Sequence, residues 1–157
     1  MLKGVSKVEP GYAGGKTVRP SYEAVSSGDT GHAEVIRVTY DPAVISYEDL
    51  LTIFFGSHDP TTPNRQGADV GTQYRSVILY GIEEEKITAE RIAREIQESL
   101  KDGTRVVTQI LPLEEFFPAE SYHQNYFKEN TSAPYCQIVI EPKIEKVKKR
   151  FAELVKQ

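Results

Sequence analysis

The stretch His58 to Ser76, HDPTTPNRQGADVGTQYRS, constrains the fold most. It shows neither helical nor strand periodicity, yet apolar runs flank it closely, LLTIFF before and SVILY after. A long loop between two buried elements of a compact domain is either functional or disordered. Its composition is not that of a linker, which is Gly/Ser-rich, Pro-rich or uniformly charged. It mixes His58, Asp59, Arg65, Gln66, Asp69, Gln73, Tyr74 and Arg75 with two glycines, Gly67 and Gly71, that let the backbone turn. Such loops are where sites are built. Asp69 and Tyr74 are therefore candidates, with His58-Asp59-Pro60 fixing the start of the loop.

The elements around it follow from local signals. Val5 to Tyr12 alternates and ends in the turn GYAGG, a strand. Pro20 to Val25 makes a short helical turn. Ala33 to Tyr40 is a strand whose parity puts Glu34, Ile36 and Val38 on one face, toward the interior. Ser46 caps a helix from Tyr47 to about Phe55 that Gly56 stops. Arg75 to Tyr80 is a strand, and Glu83 to Lys101 is the clearest helix, with Ile92, Ile96 and Leu100 at every fourth position. Val106 to Leu111 and Gln137 to Ile140 read as strands. Phe116 to Tyr126 is aromatic and irregular. Glu141 to Gln157 is a basic amphipathic helix with Pro142 in its first turn. Strands and helices mixed without strict βαβ order predict an α+β fold, with helices on one face of a mostly antiparallel sheet. A length of 157 residues with no internal linker predicts a single domain, 1–157.

Composition narrows the function. A net charge of -4 leaves no electrostatic footprint for nucleic acid or an anionic membrane. No apolar run approaches the roughly 20 residues of a membrane helix. The N-terminal segment has no apolar signal core, so the expected location is cytoplasmic. The one cysteine, Cys136, excludes an internal disulfide. Between Tyr135 and an apolar run it reads as a buried strand thiol, yet it is the one candidate here for sulfur chemistry. Glu120 and His123 have Glu-x-x-His spacing. No second such motif and no cysteine pair accompanies them, so hydrogen bonding rather than metal ligation is expected of the histidines.

The residues with most chemistry in them are Tyr22, Glu34, Asp69 and Tyr74, each close to a glycine turn. A carboxyl in apolar surroundings has its pKa raised, because burial disfavours the charged form. A neutral Glu34 could donate a proton near neutral pH, and tyrosine hydroxyls nearby could hold a polar oxygen. An ion pair of Glu34 with Arg37 or Arg75 is the structural alternative.

Together, GYAGG, PSYEAV, SGDTGHAEVIRVTYDP, ISYEDLL, the HDPTTPNRQGADVGTQYRS loop, FFPAESYHQNYF and PYCQIVIEPKI resemble the type A peptide methionine sulfoxide reductases over nearly the whole chain. The resemblance implies a two-layer ferredoxin-like α/β roll with an extra C-terminal strand and helix, here without the family's first strand and helix. It implies reduction of methionine-S-sulfoxide, free or in proteins, by thiol or selenol chemistry. A thioredoxin-like dithiol would be the reductant, with no metal or organic cofactor. Glu34 matches the family's acid toward the sulfoxide oxygen, Tyr22 and Tyr74 the tyrosines that bind that oxygen, and Asp69 the carboxylate that orders the site. Cys136 falls near a resolving cysteine of some members, but QIVIEPK follows it rather than a glycine-rich tail. The family's Gly-Cys-Phe-Trp-Gly nucleophile segment has no counterpart here, and the sequence contains no tryptophan. The expectation is an N-terminally incomplete member whose cysteine or selenocysteine lies upstream. The alternatives are a sulfoxide-binding module without turnover and a reductase that uses Cys136.

Overall fold

A computed structural model describes residues 2–124, 126–134 and 136–156, apart from the side chains of Phe127 and Val139. Asn125, Tyr135 and Gln157, which fall in stretches quoted above, lie outside the described residues. Strand β1 (Val5–Ala13) pairs antiparallel with β2 (Ala33–Tyr40), so that Val8 faces Val38, Pro10 faces Ile36 and Tyr12 faces Glu34. On its other side β1 pairs with a short strand at Phe116–Pro118, which reaches only Gly11 to Ala13. Pro10 lies one residue beyond that ladder, where its carbonyl accepts from the Ala119 N–H at 2.9 Å, a place at the end of the pairing that tolerates its missing N–H.

Among the described residues the pairing is mostly antiparallel, as expected, with one exception. The strand Val77–Tyr80 pairs with Gln109–Pro112 in parallel, register Ile78 to Ile110. A parallel pair needs a crossover, which the helix Glu83–Ser99 supplies. The Gln109 strand starts later than its apolar pattern suggests because Val106 and Val107 bond elsewhere. Their N–H groups donate to Gln97 Oε1 and the Pro60 carbonyl at 2.8 Å each.

Between the two sheets' contributions lies the helix Tyr47–Ser57. Ser46 and Asp49 cap it reciprocally, each backbone N–H reaching the other's side chain at 3.0 Å. One of its faces gives Leu51 and Phe55 to a cluster with Ile78, Ala89 and Ile92. The other gives Ile53 to a cluster with Val5, Ile45 and Phe151. Gly56 does not stop this helix, as its type suggested; it lies inside it. A Cβ there would sit 3.0 Å from the Phe151 ring, so the glycine admits a close approach of the C-terminal segment.

The end of this helix is tied to both parallel strands. His58 Nδ1 lies 2.6 Å from the Phe54 carbonyl, which can only accept, so Nδ1 carries the proton. Nε2 then accepts from Ser76 Oγ at 2.7 Å, and Ser76 Oγ lies 2.8 Å from Thr108 Oγ1.

The C-terminal segment departs from its sequence pattern. Cys136–Ile140 forms a π-helical turn, not a strand, and Glu141–Arg150 is a helix followed by a 3-10 turn at Ala152–Leu154. Ile138 is 75% exposed while Cys136 is wholly buried. The apolar run winds into the helix that packs on Tyr47–Ser57 rather than joining a sheet edge.

Burial pushes the His58 pKa below its ordinary 6.5, against the Phe54 bond and the Asp59 charge, with Lys143 adding to the lowering. The unfolded chain therefore takes up this proton first as pH falls, and His58 contributes stability that is lost below pH 6.5. His58→Ala removes one of the two partners of the buried Ser76 hydroxyl and the bond to Phe54, and is expected to cost about 2 kcal/mol. In urea titrations the gap between variant and wild type should narrow as pH drops below 6.5.

Candidate functional site

The long loop has structure that its periodicity hides, because its strands are only two residues long. Arg65–Gln66 pairs with Asp69–Val70 across a turn whose first position, Gly67, has φ 59°. A 3-10 turn, Thr72–Tyr74, follows. The neck of the loop is closed by Gln66: its Nε2 donates to the Asp59 carbonyl at 2.6 Å, and its Oε1 accepts from the Asp59 N–H at 3.2 Å. Asp59 Oδ1 in turn accepts from the Thr61 N–H at 2.9 Å and hydroxyl at 2.6 Å. Gly71 adopts φ 149° and leaves room for the Gln73 side chain, which folds back and donates to the Ser26 carbonyl at 3.0 Å. The 3-10 turn lies against β2, and this carries Asp69 and Tyr74 to the strand that holds Glu34.

All four candidates converge. The Glu34 carboxyl has a raised pKa, first from burial and then from the Asp69 charge. The Tyr74 hydroxyl is also raised, by burial, then by Glu34, Asp69 and Tyr22 in that order. Neither arginine pairs with Glu34. Arg37 is engaged by Glu9, with Nε at 3.1 Å and Nη2 at 3.0 Å from Oε2. Arg75 donates to the Thr72 carbonyl at 2.9 Å, the Gly31 carbonyl at 3.0 Å, Gln109 Oε1 at 3.1 Å and the Gly14 carbonyl at 3.4 Å.

One expectation is corrected. Glu34 and Ile36 do not face the interior: Glu34 is exposed and Ile36 is 63% exposed. The parity was right, since Val38 on the same face packs on the Val5 and Ile45 cluster. Among the described residues, the helices cover this face only at its Val5–Tyr40 end. Solvent reaches Glu34, but protein packed around its carboxyl and the like charge of Asp69 act in one direction, toward the neutral acid.

The site also holds residues that sequence reasoning did not assign. Glu120 Oε2 accepts from the Tyr12 hydroxyl at 2.7 Å and Oε1 from the Tyr22 N–H at 2.8 Å. The His123 ring lies 4.5 Å from that of Tyr22 and 4.4 Å from that of Tyr122. The Glu-x-x-His spacing was the one signal; it led to an expectation of hydrogen-bonding histidines and gave no sign that Glu120 holds two tyrosines. His32, buried, braces the GYAGG turn: Nδ1 accepts from the Gly15 N–H at 3.0 Å and Nε2 donates to the Thr17 carbonyl at 2.7 Å. Cys136 is not drawn into this constellation; it is buried in the turn that precedes the C-terminal helix.

A neutral carboxyl flanked by phenols is a set of donors for one uncharged, strongly polar acceptor oxygen. The fold and site thus define an α+β protein in which a carboxyl held toward its neutral form meets a second carboxyl and phenols. The chain belongs to the peptide methionine sulfoxide reductase family, whose family model matches residues 1–155. It is 51% identical over 152 residues to peptide methionine sulfoxide reductase MsrA of Sulfolobus acidocaldarius, a match covering 97% of this chain and 85% of that protein. With the MsrA of Nautilia profundicola the identity is 56% over 145 residues, 92% and 82% of the two chains. Among solved structures it is similar to methionine sulfoxide reductase A of Corynebacterium diphtheriae, TM-score 0.79 at 35% identity, covering 83% of this chain and 66% of that one. Reduced Mxr1 from Saccharomyces cerevisiae gives a TM-score of 0.78 at 38% identity, covering 85% and 76%.

A raised pKa has a stability consequence. Glu34 binds its proton more tightly folded than unfolded, so its favourable contribution is complete below pH 4.5 and is lost as pH rises through the folded pKa. Glu34→Gln should therefore raise Tm at pH 7 and lose that advantage toward pH 4, read by thermal unfolding across pH. Asp69→Asn should lower the Glu34 pKa, read from its carboxyl carbon in an NMR titration.

Proposed function

We propose that this protein reduces methionine-S-sulfoxide, free or within proteins, to methionine. The observation that carries the reading is the convergence of Glu34, Asp69, Tyr74 and Tyr22, with the Glu34 carboxyl held toward its neutral form. A sulfoxide sulfur is a poor electrophile until its oxygen is protonated. Glu34 donates that proton, Tyr22 and Tyr74 donate hydrogen bonds to the same oxygen, and burial followed by the Asp69 charge raises the Glu34 pKa toward the neutral acid. A thiolate or selenolate then attacks sulfur. Methionine leaves, and the oxygen stays on the nucleophile as a sulfenic or selenenic acid. A thiol condenses with that acid to release water, and a thioredoxin-like dithiol reduces the resulting bond.

The nucleophile is assigned outside the residues that form this site, since Cys136 is buried away from solvent and a buried thiol exchanges poorly. The location that goes with dithiol reduction is the cytoplasm, where thiols are kept reduced. No described helix is long and apolar enough to cross a membrane. Relatives named as reductases at about half identity favour this reading over a binding module without turnover.

The test is an NMR titration with the S and R epimers of methyl-labelled N-acetylmethionine sulfoxide. The S epimer should bind saturably, and Glu34→Ala and Tyr74→Phe should each weaken it by about tenfold, the loss of one charge-assisted or buried hydrogen bond. Equal binding of both epimers, or none, sinks the oxygen site. Turnover with dithiothreitol that Cys136→Ser abolishes would move the nucleophile to Cys136.

A further inference from the structure

Tyr22 opens a helix too short to hold itself. Tyr22–Ser26 is five residues long, and the N–H groups of a first helical turn have no partner inside the helix. Ser21 satisfies one, accepting from the Ala24 N–H at 3.2 Å. The Tyr22 N–H is satisfied from far along the chain, by Glu120 Oε1. The same carboxylate holds Tyr12, the residue opposite Glu34 in the β1–β2 register. Three residues beyond Glu120, the His123 ring lies against the Tyr22 ring, tilted by 47°. One short segment therefore grips Tyr22 by both backbone and ring.

We propose that Glu120 is a positioning residue that aims Tyr22 at the acceptor oxygen, acting through the Tyr22 backbone and the Tyr12 hydroxyl. The inference rests on the sulfoxide reading of the Glu34 site. The chemistry requires glutamate. Both donors need an acceptor, and only a carboxylate offers two acceptor oxygens; glutamine replaces one of them with an NH₂ group. Aspartate is one methylene shorter and cannot span both donors from the same backbone position. Burial raises the Glu120 pKa, but the Tyr12 hydroxyl, its own backbone, the Tyr22 N–H and His123 outweigh it, and the net shift is downward. Glu120 is thus ionised where Glu34 is held toward neutral, so two carboxyls of one site carry different roles.

The experiment compares wild type, Glu120→Ala, Glu120→Gln and a stability control, Ile92→Val. Ile92 lies in the helix cluster and touches none of these groups. Three readouts are needed: the Tm, the amide and ring resonances of Tyr22, and the affinity for N-acetylmethionine-S-sulfoxide. Glu120→Ala should shift both sets of Tyr22 resonances and weaken the affinity by about tenfold. Glu120→Gln, keeping one acceptor, should fall between it and wild type. Ile92→Val should lower Tm with the affinity within about twofold of wild type.

Unmoved Tyr22 resonances in Glu120→Ala, or an affinity that falls no further than in Ile92→Val, would overturn the proposal. If Glu120→Ala does not fold, Glu120→Gln against Ile92→Val decides the same question. Wild type that binds no sulfoxide refutes the oxygen-site reading by itself, and the Tyr22 resonances then still decide whether Glu120 places that residue.

Discussion

The pairing of β1 with β2 decides whether this protein has a site at all. Side chains alternate along a strand, so a register slip of one residue would send Glu34 to the face that carries Arg37 and Glu9. Alternation alone pins the register weakly where the apolar face is uncovered, as it is at Ile36. The constraint comes instead from the ends. At one, Val5 and Tyr40 pack into the Ile45 cluster; at the other, His32 locks the turn after Ala13 to the start of β2. Glu34 is held between two anchored ends.

Onto that frame the long loop adds its half of the site. Its strands are too short to be stable alone. They persist because Asp59 and Gln66 close the neck and because the 3-10 turn is bonded out to its surroundings, Gln73 to Ser26 and Arg75 to the two glycine turns. The residues that meet the substrate oxygen in the proposed reaction come from β2, the loop and the short helix at Tyr22. Each is braced by a side chain that does no chemistry itself.

Much of this was legible in the sequence. Element types came through wherever periodicity was long: β1, β2, the Tyr47 helix with its Ser46 and Asp49 cap, and the helix from Glu83. What failed had a physical cause in each case. The CQIVI run has β-rich composition, but it winds into a π-helical turn that leads straight into the C-terminal helix. Gly56 has the type of a helix stop, but it serves the Phe151 ring. The parallel pairing of Ile78 with Ile110 depends on how the Glu83 helix crosses over, which no local pattern encodes. Glu34, Asp69, Tyr74 and Tyr22 were singled out because the motifs around them are distinctive, and the structure brings them near one another. Glu120 was visible only as half of a metal-like spacing, because its partners Tyr12 and Tyr22 lie about a hundred residues away along the chain.

The Arg75 brace is made wholly to neutral groups: three main-chain carbonyls and one side-chain amide. Salt weakens a bond between opposite charges by screening it, and does little to a cation held by fixed dipoles. The joint between the loop and the two glycine turns is therefore indifferent to ionic strength, while the surface pairs, such as Arg37 with Glu9, are not.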